Sequence, residues 1–201
     1  MLNTAEEWPE DPHLLFEEWM AEAVEKEPSN PNAMCLATVD ENAFPSARMV
    51  LLKGHDERGF VFYTNEESRK GHDLSVNQHA ALCFYWKSLN KQVRIEGPIS
   101  YVSEEEANMY FQSRHPNSRI GAWASMQSRP LAHRNEFDTR FAEYQAKFEN
   151  ETIIPRPPYW RGFRVEPTHI EFWIEELHRL HRRCVYTPSK TSTWDRQMLY
   201  P

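Results

Sequence analysis

The stretch AALCFYWKSLNKQVRIEGPISYV, residues 80–102, decides the fold class. Ala80 to Trp86 is a short apolar and aromatic run of strand length. From Gln92 to Val102 the pattern changes. Val93 and Ile95 alternate with Gln92, Arg94 and Glu96, which gives a strand with one apolar and one polar face. Outward from this pair, further short strands are expected at Ala33–Val39, Arg48–Lys53 (RMVLLK), Phe60–Thr64, Trp160–Val165, His169–Trp173, Arg179–Tyr186 and Trp194–Tyr200. Asp40–Pro45 and Asp56–Gly59 carry turn chemistry. Helices are expected where the apolar period changes. The first follows Asp11-Pro12 and runs to about Lys26, with Leu15, Phe16, Trp19, Met20 and Ala23 on one face. Ser68–Val76 is a second. Ser103-Glu104-Glu105-Glu106 is a capping box that opens a third. Glu136–Glu149 is a fourth, whose Phe137, Phe141, Tyr144 and Phe148 pack on the barrel or on a partner. Short strands joined by turns, with helices between, predict an α+β protein that is mainly antiparallel β, a barrel with helical additions. Residues 1–10 are expected to be a tail and residues 11–201 a single domain.

Composition narrows the function. The 201 residues carry 30 acidic and 23 basic side chains, a formal net charge of -7. That balance argues against bulk nucleic-acid binding. No apolar run approaches the about 20 residues of a membrane span. The start, MLNTAEEWPEDP, is acidic and lacks the apolar core of a targeting signal. Three widely spaced cysteines, Cys35, Cys83 and Cys184, point to reduced thiols and a cytoplasmic location. No Gly-rich phosphate loop is present.

Against this acidic background the cations cluster. Arg179-Leu180-His181-Arg182-Arg183 packs three arginines and a histidine into five positions. As a strand it would turn Arg179, His181 and Arg183 to one face and Leu180 and Arg182 to the other. A planar anionic ligand suits the first face, since guanidinium groups bind phosphate bidentately and stack on rings. A solvated strand end is the alternative. His178 and His181 are not a zinc site, because strand spacing separates them and arginines surround them. Arg48 and Lys53 flank RMVLLK. Ser68-Arg69-Lys70 opens a helix just after a strand, a suitable phosphate cradle. Gln92, Gln127 and Ser128 can hydrogen-bond a heteroaromatic edge or a phosphate. Tyr110 and Arg114 share a helix face if that helix continues, and Ser118 follows them. Together these groups suggest two anionic groups to be held.

The ordered series RMVLLK, FYTNEESRKG, the FYW run, QVRIEGP, YFQSR, SRIGAWASMQS, EFW and RLH resembles the pyridoxine/pyridoxamine 5′-phosphate oxidase family. The resemblance implies an FMN-binding split β-barrel with flanking helices, acting as a homodimer with FMN at its interface. It implies oxidation of pyridoxine 5′-phosphate or pyridoxamine 5′-phosphate to pyridoxal 5′-phosphate, with O2 as electron acceptor and H2O2 as product. By motif, Arg48, Met49, Val50, Leu51, Leu52 and Lys53 would line the FMN, with Tyr63 and Thr64 beside them. Arg69, Lys70 and Ser128 would hold its phosphate. Gln92, Gln127, Trp173 and Arg183 would reach the flavin from one subunit or the other. Lys53, Tyr110, Arg114 and Ser118 would meet the substrate phosphate. Arg179 and His181, the expected catalytic pair, would lie over the pyridine ring. No metal, membrane or nucleic acid is implied.

The chain departs from the family pattern at identifiable places. Arg182 stands where the RLHDR motif has an acid, so an orienting bond is expected to be lost and Arg183 repelled. Arg161 replaces a small residue in the Trp-Gly-Gly stretch. Ile174-Glu175 replaces Gln-Gly after EFW. The end, Met198-Leu199-Tyr200-Pro201, differs from Arg-Leu-Ala-Pro, and the basic, tyrosine-containing N-terminal segment of relatives has no counterpart. A weakly active or non-catalytic paralogue that binds FMN or pyridoxal 5′-phosphate is therefore the alternative. Another flavin or deazaflavin reductase on the same barrel is a more distant one.

Overall fold

The computed structural model describes residues 8–191 and 193–201, so most of the expected tail lies outside the described residues. The strands are β1 (Ala33–Val39), β2 (Pro45–Leu51), β3 (Gly54–Asp56), β4 (Gly59–Asn65), β5 (His79–Trp86), β6 (Lys91–Tyr101), β7 (Trp160–Val165), β8 (His169–Ile174), β9 (Arg182–Pro188) and β10 (Trp194–Leu199). All pair antiparallel, in the order β10-β9-β8-β6-β5-β1-β2, with β4 and β7 joined to the path through β6 and β3 paired to β4.

The length of β6 curls the sheet. Its first half pairs with β5 and β8, and Ile99 to Tyr101 pair with β7. Gly97 sits at the crossing. A Cβ there would lie 1.8 Å from the Glu166 carbonyl oxygen, so only glycine permits this approach. The alternation read in this strand holds: Val93 and Ile95 are buried and Arg94 is exposed.

Helix α1 (Pro12–Lys26) fills the inside of the curl. The Asp11 carboxylate accepts from His13 N–H at 2.8 Å and Pro12 takes the first turn, so the helix starts where the sequence says. Phe16 packs edge-on to Phe60 and Phe84, and Trp19 edge-on to Phe172. Each such buried side chain contributes about 1.5–3 kcal/mol of hydrophobic stabilisation. A second apolar cluster, Phe111, Ile120, Phe148, Ile154 and Trp160, joins the remaining helices to β7. These are α3 (Glu104–Ser113), α4 (Pro116–Ala124) and α5 (Arg134–Lys147), while α2 (Arg69–Val76) follows β4.

Three local expectations are corrected. The capping box of α3 is one-sided. Ser103 accepts from Glu106 N–H at 3.1 Å, but the Glu106 carboxylate takes the buried Arg164 instead. Helix α3 ends at Ser113 with Arg114 as its cap, so Tyr110 and Arg114 do not lie on one continuous helix. Residues 179–181 are not strand. Leu177–Arg179 forms a single 3-10 turn in which His178 (φ 58°) and Arg179 (φ 63°) are left-handed, and β9 begins only at Arg182.

Among the described residues no helix is long and apolar enough to cross a membrane. Cys35 and Cys83 face each other across β1 and β5 as free thiols. Under α1 the rings of His13 and His55 both stack on Phe60, at 6.0 and 6.1 Å. Among the described residues neither nitrogen of His13 has a partner, nor has His55 Nδ1. Burial holds both imidazoles below the ordinary value of 6.5. A histidine lowered in the folded state stabilises fully above its unfolded pKa and loses that contribution as pH falls. The melting temperature is therefore expected to drop from about pH 7 to about pH 5, and His13→Phe to flatten part of that slope. Thermal melts across that range check it.

Candidate active site

A cavity of about 570 Å³ opens between β2, β4 and the helical cluster. Lys53, Lys70 and Arg114 line it, and among the described residues no carboxylate does. In a chain with 30 acidic residues this is a marked segregation of charge. Met49, Val50 and Leu51 form one wall, and Tyr63, Thr64 and Asn65 another. The Tyr63 ring stacks on Tyr110 at 4.2 Å and on Trp160 at 5.0 Å. Gly162 makes room for it: a Cβ there would lie 2.6 Å from the Tyr63 ring. Burial, then Glu106, pushes the Tyr63 hydroxyl up to about 12, so it stays protonated.

Arg114 lies over the rings of Trp160 and Phe111, with centroids at 5.0 and 5.6 Å. Its Nη1 is buried and has no partner among the described residues. Burial pulls its pKa below the ordinary value, although a guanidinium keeps its proton at any working pH. A buried, unpaired donor on a fixed cation is costly unless a ligand takes it. Lys53 stands 5.9 Å over the Tyr110 ring. Ser118, on α4, completes this end.

At the other end, Lys70 Nζ donates to Gln127 Oε1 at 2.8 Å and to the hydroxyls of Thr64 and Ser68 at 3.3 Å. All three acceptors are neutral. Burial, and then Arg48, lowers the lysine pKa. Ser68 caps α2 by accepting from Gly71 N–H. Arg69 and Ser128 are the exposed chain neighbours of Lys70 and Gln127, and Ser128 is left-handed (φ 70°). An Arg129–Glu67 pair at 2.8 Å ties the Gln127 segment down.

Two members of RMVLLK turn away from the cavity. Leu52 is buried in the core. The Arg48 guanidinium donates to Thr38 and Ser46 at 2.6 Å and pairs with Asp73 at 3.5 Å.

A second constellation lies elsewhere on the sheet. Gln92, Trp173 and Arg183 are in direct register across β6, β8 and β9, so they share a face. His181 lies 4.6 Å from the Trp173 ring. Arg179 is exposed beside it. Cross-strand pairing places Met49, Cys35, Cys83, Arg94 and Glu171 in one row on that same face. The two constellations are thus on one outer surface, but β1 and β5 intervene between β2 and β6. Three strand spacings make that separation roughly 14 Å. Among the described residues that line the cavity, none of Gln92, Trp173, Arg179, His181 and Arg183 appears.

The departures from the family pattern have partners. Arg161 points away from the cavity and pairs with Glu66 and Glu104. Arg182 pairs with Glu176 at 2.9 Å and Arg183 with Glu171 at 2.8 Å. The Glu171 bond holds the Arg183 pKa above its ordinary value. The expected repulsion between Arg182 and Arg183 is therefore compensated on both sides. Trp160, the platform under Arg114, is not among the site residues expected from the sequence, although it opens the Trp160-Arg161-Gly162 motif.

A model described as pyridoxamine 5′-phosphate oxidase matches residues 20–148. One described as the pyridoxine 5′-phosphate oxidase C-terminal dimerisation region matches residues 160–201. A protein of Rhodospirillum rubrum named pyridoxine/pyridoxamine 5′-phosphate oxidase is 56% identical over 95% of this chain and 96% of its own length. One of the same name from Brucella ovis is 51% identical over 100% and 98%. Among solved structures, PhzG from Burkholderia lata, in complex with tetrahydrophenazine-1-carboxylic acid, superposes with a TM-score of 0.90 at 30% identity, covering 100% of this chain and 98% of its own. A pyridoxamine 5′-phosphate oxidase-related, FMN binding protein from Nostoc punctiforme gives a TM-score of 0.72 at 18% identity over 92% and 97%, which bears on the fold alone.

Proposed function

The chain belongs to the pyridoxine/pyridoxamine 5′-phosphate oxidase family of oxidoreductases, and from that premise we propose that it oxidises pyridoxine 5′-phosphate or pyridoxamine 5′-phosphate to pyridoxal 5′-phosphate, with FMN as cofactor and O2 as electron acceptor, releasing H2O2 and, from the amine, which also takes up one water, ammonia. One observation carries this reading: a cavity lined, among the described residues, by three cations and no carboxylate, with a buried arginine donor left unpaired by them. That is the chemistry of a phosphate site.

The donor set fits two phosphates at two ends. Lys70, with Arg69 and Ser128 at the rim, would hold the FMN phosphate, and the neutral acceptors now on Lys70 can yield to an anion. Met49, Val50, Leu51, Tyr63, Thr64 and Gln127 would line the cofactor, with Arg48 and Leu52 shaping strand β2 from behind. Lys53, Tyr110, Arg114 and Ser118 would take the substrate phosphate. Bound there, FMN would supply the hydride acceptor. The side chains bind, orient and exclude water, so their contribution is positioning in a desolvated, positively charged site.

Gln92, Trp173, Arg183, Arg179 and His181 would reach the same ligands from a second copy. The shared outer face supports this, since Met49 and Tyr85 on it are 64% and 55% exposed. So does the dimerisation region that spans residues 160–201. The non-catalytic alternative rests on Arg161, Arg182 and the altered C-terminal end; of these, Arg161 and Arg182 have carboxylate partners outside the cavity.

The protein is expected to purify yellow with one FMN per subunit and to form pyridoxal 5′-phosphate from either phosphorylated substrate. Visible spectra and a product assay test it. A preparation that stays colourless after incubation with FMN would sink the cofactor assignment.

A further inference from the structure

We propose that Glu176 is a positioning residue that sets the ring of His181 and the backbone of Arg179 through a latch to Arg182. The inference rests on the reading of Arg179 and His181 as substrate-facing groups.

Ile174 and Arg182 are the last register pair of β8 and β9, so residues 175–181 form a loop closed at its base. Glu175 N–H donates to the Asn90 carbonyl at 2.9 Å and anchors one side. The tip is the 3-10 turn, where Leu180 N–H donates to Leu177 O at 3.2 Å. Two successive non-glycine residues there, His178 and Arg179, are left-handed. Such residues persist only where the surroundings hold them. Glu176 touches both flanks. Its carboxylate accepts from Arg182 Nε at 2.9 Å, and its backbone N–H donates to His181 Nδ1 at 3.2 Å. A ring nitrogen that accepts from an amide carries no proton, so the neutral His181 ring holds its proton on Nε2 and can donate from there. Trp173 limits the ring from the other side.

The charge signs are matched within this chain. An acid at position 182, as the RLHDR motif has, would meet the Glu176 carboxylate and push the loop open. Arg182 is thus the complement of Glu176, and restoring the acid alone is expected to harm.

The test uses 15N-histidine-labelled holoenzyme of the wild type, Glu176→Gln, Arg182→Glu and the exchanged pair Glu176→Arg/Arg182→Glu. His181→Asn assigns the resonance. In wild type His181 is expected to show the Nε2–H pattern. Each single variant should shift it toward a mixture and lower kcat/KM for pyridoxine 5′-phosphate about fivefold, the upper end for a half-exposed ion pair. FMN content should hold. The exchanged pair should recover both signals. Single variants that keep the Nε2–H pattern and full kcat/KM would overturn the latch. So would an exchanged pair no better than Arg182→Glu. If the wild type turns over neither substrate, the oxidase reading fails, while the histidine spectra still decide the latch.

Discussion

Arg114→Ala is expected to lower kcat/KM for pyridoxine 5′-phosphate about a hundredfold, with FMN content unchanged. The guanidinium lies over Trp160 and Phe111, and among the described residues its buried Nη1 has no partner and no carboxylate lines the cavity to compete for it. A hydrogen bond to a charged group is worth about 1.5–3 kcal/mol, and a guanidinium can offer a phosphate two. Even with the low value for each, the loss is about 3 kcal/mol, and each 1.4 kcal/mol is about a factor of ten. Arg114→Lys should fall between, because it keeps the charge and loses the planar fork. Pyridoxine without its phosphate should be turned over equally slowly by wild type and variant. Steady-state kinetics on both substrates, with flavin absorbance, make the check. A loss below about threefold would remove Arg114 from the phosphate site. Loss of flavin along with activity would move it to the cofactor.

What could be read in the sequence was local. Strands β1 and β7 have the boundaries expected from their short apolar and aromatic runs, and α1 starts at the Asp11-Pro12 signal, because a cap and a short apolar run need only neighbours. Strand β3 went unread because three residues hold no period. The run at Arg179 was misread for a related reason. Alternation describes strands, and nothing in HRLHRR, residues 178–183, announces that His178 and Arg179 are left-handed without being glycine.

The candidate site divides the same way. Lys53, Lys70, Tyr110, Arg114, Ser118 and Gln127 were legible as ordered motifs, and the fold brings them to one cavity. Arg48 looked like their equal. Only the tertiary structure shows Asp73 and Thr38, on other elements, taking up its guanidinium. Trp160 likewise became part of the site through packing of β7 on α3, a contact no spacing encodes.

The distance between the two constellations gives the second large effect. Arg114 lines the cavity beyond β2, and Arg179 sits past β8, with β1, β5 and β6 between them in the sheet. If each active site draws Arg114 from one chain and Arg179 from its partner, the two defects can be separated. Arg114→Ala and Arg179→Ala homodimers are each expected to lose more than about tenfold in kcat/KM. In a mixed dimer with one chain of each kind, two-fold symmetry puts both defects in one site and leaves the other site intact. Mixed dimers isolated with two different tags should therefore regain about half of the wild-type activity. Residues that act within one chain cannot produce this, since both sites of the mixed dimer would then carry one defect. No recovery in a mixed dimer that still binds flavin would assign Arg114 and Arg179 to the same subunit. The outer face of the sheet would then need another reason to leave Met49 and Tyr85 uncovered.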